Sequence, residues 1–142
     1  MKKRIRSERG AALIEAAMIM PMILLISVGI FEFGRAYQTW QVLTNAAREG
    51  ARLAVINGST DAAVTARVRS YMQAGSLPNY GTAAVTIQRT VALTGADTAS
   101  RIQIDYPFQF MVLNPVVRLV TPTSTTGAPI SMQSSALMRN ES

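Results

Sequence analysis

The chain of 142 residues contains no cysteine and no histidine, and its only two lysines are Lys2 and Lys3. Zinc sites built on cysteine or histidine, thiol nucleophiles and serine–histidine relays are therefore excluded. A lysine-based reaction would have to use the first three residues. No phosphate-binding loop, dinucleotide fingerprint, EF-hand or internal repeat is visible, so the sequence predicts no cofactor and no metal site.

Acidic residues are few, with eight Asp and Glu against fourteen Lys and Arg, and they are scattered along the chain. Asp97 and Asp105 bracket a predicted hairpin and are the best candidates for a catalytic carboxylate pair. Solvated strand and turn residues are the favoured interpretation of both. The chain is therefore predicted not to be an enzyme. An envelope enzyme that relies on carboxylates alone remains as an alternative hypothesis.

The basic excess is unevenly distributed. Residues 1–10 hold five of the fourteen basic residues and one of the eight acids, which leaves nine basic and seven acidic residues, a net charge of +2, in the remainder. A nearly neutral remainder lacks the electrostatic footprint of a nucleic-acid-binding protein. No nucleic-acid partner is predicted.

One long apolar run covers residues 11–31 and contains one acid, Glu15, and one proline, Pro21. At 1.5 Å per residue, about 20 apolar residues cross the hydrocarbon core of a bilayer, so the lipid bilayer is a predicted partner. The five basic residues of the leader precede this run, whereas the charges of Glu32 and Arg35, which follow it, cancel each other. The positive-inside rule then predicts a cytoplasmic leader of residues 1–10, a transmembrane helix over 11–31 and an extracytoplasmic domain over 32–142.

Two residues inside the span call for an explanation. A carboxylate such as Glu15 costs roughly 2.5–3.5 kcal/mol on insertion scales and usually has a specific partner. It could reach back to the headgroups and pair with Arg9, or it could serve assembly. Pro21 removes a backbone hydrogen bond and is expected to kink the helix, either as a harmless bend or as a locally melted stretch.

The helix is expected to continue past the membrane. Residues 32–56 contain no proline and keep a helical apolar period, and Asn57 and Gly58 provide a stop, which predicts a rod of about 70 Å over 11–56. Tyr37 and Trp40 lie just beyond the apolar span. They belong either to the membrane interface or to the core of the outer domain.

The segment AAREGAR, residues 46–52, has small residues at helical intervals. Ala47, Gly50, Ala51 and Ala54 form a low stripe that permits close approach of a helix or a sheet. Glu49 can pair with an arginine three residues on. A solvated charged face on an alanine-rich helix is the alternative. The candidate packing motif comprises Ala46, Ala47, Arg48, Glu49, Gly50, Ala51 and Arg52.

The remainder of the chain predicts a small α+β domain. A second helix over 61–73 would be capped by Ser59 or Thr60 and ended by Gly75. Period-two alternation over 85–93 and 102–112, with a turn at 95–98, predicts a hairpin, and 130–138 a third strand. Arg89 is an exception on the apolar face, and Pro107 suggests an edge position or a bulge. This antiparallel sheet is expected to pack on the outer half of the long helix.

The N-terminal sequence resembles the type IV pilin superfamily. A basic leader ends in Gly10, and Glu15 is the fifth residue after that glycine. The phrases AALIEAAMIMPMILL, GIFEFGRA and NAAREGARLAV resemble, more specifically, the TadE-like proteins, which are pilin-like components of the tight-adherence (Tad, or Flp pilus) system. The β-rich tail that closes on ALMRNE is more loosely similar. TadF-like proteins share much of this plan, so the choice between the two stays open.

The resemblance implies a function and a set of partners. A membrane-bound prepilin peptidase would cleave between Gly10 and Ala11, and Glu15 would be the assembly glutamate. The chain would be a non-catalytic minor pilin or pseudopilin of the bacterial inner membrane that contacts other pilin-like subunits and the Tad inner-membrane platform. The alternative is an uncleaved bitopic scaffold of an envelope secretion machine, which would retain its leader.

Overall fold

The computed structural model describes residues 4–93, 97–115 and 129–140. It has an α+β fold, as predicted; the described residues contain two long helices and a three-stranded antiparallel sheet, and residues 113–115 are also helical. The elements are α1 (Arg4–Ala54), α2 (Asp61–Ala74), a single 3-10 turn (Tyr80–Thr82), β1 (Ala84–Ala92), β2 (Thr98–Phe108) and β3 (Ile130–Arg139).

Helix α1 is one continuous element of 51 residues that runs through Pro21 without ending there. Its length corresponds to about 76 Å. The helix begins within the predicted leader and ends at Ala54, two residues before the predicted end at Ile56. Its two halves differ: residues 11–27 are exposed throughout, whereas the outer half carries a buried stripe. The described part of the domain therefore packs on the outer half of α1.

Helix α2 begins and ends close to the predicted positions. The side chain of Thr60 accepts a hydrogen bond from the backbone N–H of Ala63 at 3.2 Å, which identifies Thr60 rather than Ser59 as the N-cap. The apolar face buries Val64, Val68 and Met72 against the core, so the fully buried residue of its last turn is Met72.

Gly75 ends α2, as predicted, without the left-handed conformation that is common at helix C-termini. Its φ is −76°, and the residue with positive φ is Ser76 at 57°. A Cβ on Gly75 would lie 2.5 Å from Cγ1 of Val42 on α1. Glycine at this position allows the end of α2 to approach α1 closely.

The sheet order is β1-β2-β3, so β2 is the central strand. Residues Ile102 and Ile104 of β2 alternate inward and are fully buried, as period-two patterning predicts. Strands β2 and β3 contact α1, while α2 contacts both α1 and β1. The core is therefore a sandwich of the sheet, the outer half of α1 and α2.

The predicted end of β2 is wrong. The strand ends at Phe108 instead of residue 112, because the following residues leave the ladder and turn back toward α1. Pro107 lies in the central strand opposite Ser131 of β3 but beyond the start of β1, so on that side it occupies the predicted edge position rather than a bulge. Strand β1 begins opposite Asp105, so the missing N–H of Pro107 faces no β1 partner. The register shift lies in β1, between Gln88 and Val91.

Strand β3 confirms the predicted third strand, extended by one residue to Arg139. Several sequence features lie outside the described residues: the turn residues 94–96, the apolar stretch 116–120, the loop residues 121–128 and Glu141.

Candidate functional site

The described part of the chain leaves the apolar half of α1 exposed over residues 11–27. A helix spanning Gly10–Ala54 is long and apolar enough to cross a membrane, and none of its most apolar window is buried. Ala11, Glu15 and Pro21 are all exposed on this helix. The candidate cleavage bond between Gly10 and Ala11 lies within the helix rather than at its end. The roles assigned to these residues remain predictions.

The small-residue stripe of α1 lies against two neighbours. Ala47, Gly50, Ala51 and Ala54 are all buried. A Cβ on Gly50 would lie 2.5 Å from Cγ2 of Val68 on α2 and 3.4 Å from Cγ2 of Ile102 on β2. The segment AAREGAR thus supplies the surface on which both α2 and the sheet pack.

The charged residues of the same segment point away from the core, and their pairing differs from the prediction. Glu49 accepts a hydrogen bond from Arg67 of α2 at 2.7 Å instead of pairing with Arg52. Arg48 and Arg52 are both exposed. Because Glu49 and Arg67 are 18 residues apart, no local spacing rule could have matched them.

Sequence reasoning missed the most constrained acid, Glu32, which follows the apolar run. Glu32 is 3% exposed, and its Oε1 accepts backbone N–H bonds from Val112 at 2.5 Å and from Leu113 at 3.4 Å. Its Oε2 accepts from Arg35 at 3.0 Å. The Arg35 guanidinium also lies 5.4 Å from the centroid of the Phe108 ring. The GIFEFGRA phrase therefore fastens the chain after β2 to α1.

These contacts decide the pKa of Glu32. Burial alone would raise it, but the backbone donors of Val112 and Leu113, together with Arg35, hold the pKa below the ordinary value of 4.5. The carboxylate therefore stays ionised at neutral pH and binds the loop in its charged form.

We expect Glu32→Gln to lower stability by about 1 kcal/mol near pH 7, because charge-assisted hydrogen bonds become neutral ones. The pKa of Glu32 is lower in the folded state than its ordinary value of 4.5, so the ionised carboxylate contributes its full stabilisation of the fold above pH 4.5. This stabilisation is lost as the pH falls through the folded-state pKa. The wild type should lose this increment on acidification, whereas the variant should lose less. Thermal unfolding in detergent from pH 7 to 3 measures this difference, and parallel curves would contradict it.

Arg89, the expected exception on the apolar face of β1, joins three elements. Its Nη1 donates to the Ala54 carbonyl at the end of α1 at 2.9 Å, and its Nε donates to Asp61 at the start of α2 at 2.7 Å. A cation at a helix C-terminus and an anion at a helix N-terminus are both favourable. The residue that broke the strand pattern therefore closes the membrane-distal corner of the domain.

Asp97 and Asp105 do not form a carboxylate pair. They lie eight residues apart at opposite ends of β2, which corresponds to about 26 Å of extended chain. Asp97 accepts from Arg139 at 3.1 Å, and Asp105 accepts from Gln133 at 2.8 Å. Within the described part of the chain, no group of three or more acidic side chains could hold a metal ion.

The aromatic pair beyond the span is not part of the core. Tyr37 is 62% and Trp40 47% exposed, and their ring centroids are 6.2 Å apart. The alternative that placed them in the outer core is therefore wrong, and their location at the membrane interface remains a prediction.

A long apolar N-terminal helix that carries a small α+β domain on its outer half fits a single-pass membrane protein. The model of the family described as TadE-like protein matches residues 10–52. This confirms the resemblance to TadE-like proteins over the segment that contains the span, the GIFEFGRA phrase and AAREGAR. The match supports a pilin-like component associated with the Tad pilus, a structural class rather than an enzyme family. Neither a curated protein nor a solved structure matches the chain.

Proposed function

We propose that the chain is a non-catalytic minor pilin or pseudopilin of Tad pilus biogenesis, held in the bacterial inner membrane with its N-terminus in the cytoplasm. The family match over residues 10–52 is the observation that carries this proposal. The exposed apolar half of α1 supports it, because such a surface needs lipid or other apolar helices around it. The packed outer domain would then lie in the periplasm.

Processing is the first step of the proposed function. Prepilin peptidase removes residues 1–10, and the new N-terminus is the α-amino group of Ala11. Four residues of helix rise separate it from Glu15, about 6 Å along the axis. A buried carboxylate is far less costly beside a cation than alone. The amino group of one subunit can therefore meet Glu15 of its neighbour and set the axial register between them.

Assembly partners follow from the same surfaces. The bare helix would pack against the helices of other pilin-like subunits, and the outer domain would face them and the Tad inner-membrane platform. Because α1 already supports α2 and the sheet on one face of its outer half, docking would leave the domain intact. Adherence through the pilus would depend on this chain without any catalytic step.

An uncleaved bitopic scaffold is the second candidate. Helix α1 begins at Arg4 and passes through Gly10 and Ala11 without a break, which would suit a chain that keeps its leader as part of one rod. Retention of the leader distinguishes this function from the first.

We expect that deletion of the gene in a strain with a working Tad system abolishes or strongly reduces surface pili and adherence, and that the full chain supplied in trans restores both. Electron microscopy of sheared pili and a surface-adherence assay measure this. Normal pilus numbers and adherence in the deletion strain would contradict a role in biogenesis.

A further inference from the structure

The outer domain reaches down to the last turn of the apolar span. Among residues 11–31, only Val28 and Gly29 are half-buried, and all the others are exposed. These two residues continue the stripe that Glu32 and Thr39 occupy on the domain-facing side of α1. Nothing lies within 4 Å of a Cβ on Gly29, so the contact that ties the domain to the membrane end of the rod is that of Glu32, directly after the span.

The contacts of Glu32 show which part of the domain lies at the membrane end of the rod. Side chains on a helix tilt toward its N-terminus, so the Glu32 carboxylate lies over the turn before its own Cα, toward the membrane. That carboxylate accepts the N–H groups of Val112 and Leu113. The backbone at 112–113 is therefore level with the last turn of the span.

The loop at this level is apolar. Residues 109–115, with the sequence QFMVLNP, contain no charged side chain. Met111 is 60% exposed, and Val112 and Leu113 are half-buried. Apolar side chains at this depth are suited to the boundary between headgroups and acyl chains, where buried apolar area supplies the binding energy.

We propose that the loop of residues 109–112, which leads into the helical residues 113–115, is a second membrane contact, which inserts Met111 into the outer leaflet beside α1. The proposal rests on the membrane span of the proposed function. Lipid is the occupant because the Glu32 hydrogen bonds place the loop where the apolar run ends. The rod and the loop together would hold the domain against the bilayer and limit its tilt.

The absence of cysteine allows a direct test with the full chain in phosphatidylcholine and phosphatidylglycerol vesicles. Met111→Cys carries an environment-sensitive fluorophore, and lipids with a spin label near the headgroup quench probes at shallow depth. Leu24→Cys, in the span, reports insertion. Ile56→Cys is the matched control, because Ile56 is 56% exposed but lies about 35 Å along the rod from the end of the span.

We expect the probe at residue 111 to be quenched about twofold or more, since interfacial groups lie within about 5–10 Å of the headgroup boundary. The probe at 56 should be unaffected, and the probe at 24 should be quenched by deeply labelled lipid. Gln109→Cys is a second exposed loop position in case the first label perturbs folding. Loop probes as unquenched as residue 56, with residue 24 quenched, would overturn the loop contact alone. Loss of quenching at residue 24 would overturn the span and the loop contact together.

Discussion

Replacement of Glu15 with alanine is expected to leave leader cleavage intact and to reduce incorporation into Tad pili more than tenfold. Loss of one partner of a buried ion pair costs about 3–5 kcal/mol, and each 1.4 kcal/mol is a factor of ten. In the alanine variant the neighbour's new amino group would enter the apolar helix bundle without a counter-charge. Immunoblots of sheared pili against the membrane fraction measure the distribution.

The matched controls separate charge from size. Glu15→Gln keeps the shape and removes the charge, so it should behave like the alanine variant. Glu15→Asp keeps the charge and should retain part of the incorporation. N-terminal sequencing of the membrane fraction establishes that each variant is processed. An alanine variant that is processed and incorporated as well as the wild type would disprove the assembly role of Glu15.

Gly50→Leu is expected to destabilise the outer domain by about 3 kcal/mol or more, a large loss for overpacking of a core. Even a Cβ at residue 50 would lie 2.5 Å from Cγ2 of Val68, a side chain that is fully buried. Leucine is a good helix former, so intrinsic propensity opposes the loss by only about 1 kcal/mol. The physical cause is therefore separation of α2 from α1.

Gly34→Leu is the matched control in the same helix, because nothing lies within 4 Å of a Cβ at residue 34. It should be neutral or slightly stabilising. Amide hydrogen exchange of α2 in the detergent-solubilised full chain reports the local opening directly. Equal protection of α2 in both variants would show that the close approach at Gly50 is not needed.

Local sequence signals predicted the elements well. The cap at Thr60, the inward alternation of Ile102 and Ile104 and the third strand all follow from spacing rules that act over a few residues. The stripe of small residues in AAREGAR also predicted the close approach of a helix or a sheet. The stripe does not specify which elements pack against it, since a surface of small side chains accepts either a helix or a sheet.

The contacts that fix the domain on the rod were beyond such rules. Glu32 bonds to backbone groups 80 residues away, and Arg89 reaches a carbonyl 35 residues away. Glu32 has one partner at helical spacing, Arg35, but the backbone groups that it binds lie at no local spacing, and neither do the partners of Arg89. The only sequence signal was negative: Glu32 is an acid directly after an apolar run, and Arg89 is a charge on an inward-facing strand position. An anomaly of this kind indicates a distant partner without naming it.

The end of β2 shows the same limit. Phe110 and Val112 continue the alternation of the strand, yet the ladder stops at Phe108 because the next residues turn to the Glu32 carboxylate. The same alternation is compatible with a longer strand and with a strand that ends at Phe108, so the contact with Glu32 determines where the strand ends.

The processing and assembly account depends on cleavage after Gly10, and N-terminal sequencing of membrane-extracted protein tests it most directly. The protein is expressed with and without its cognate prepilin peptidase. The account predicts a start at Ala11 only when the peptidase is present. A start at Met1 under both conditions would contradict it and favour the uncleaved scaffold, with Glu15 acting at most as an interfacial acid.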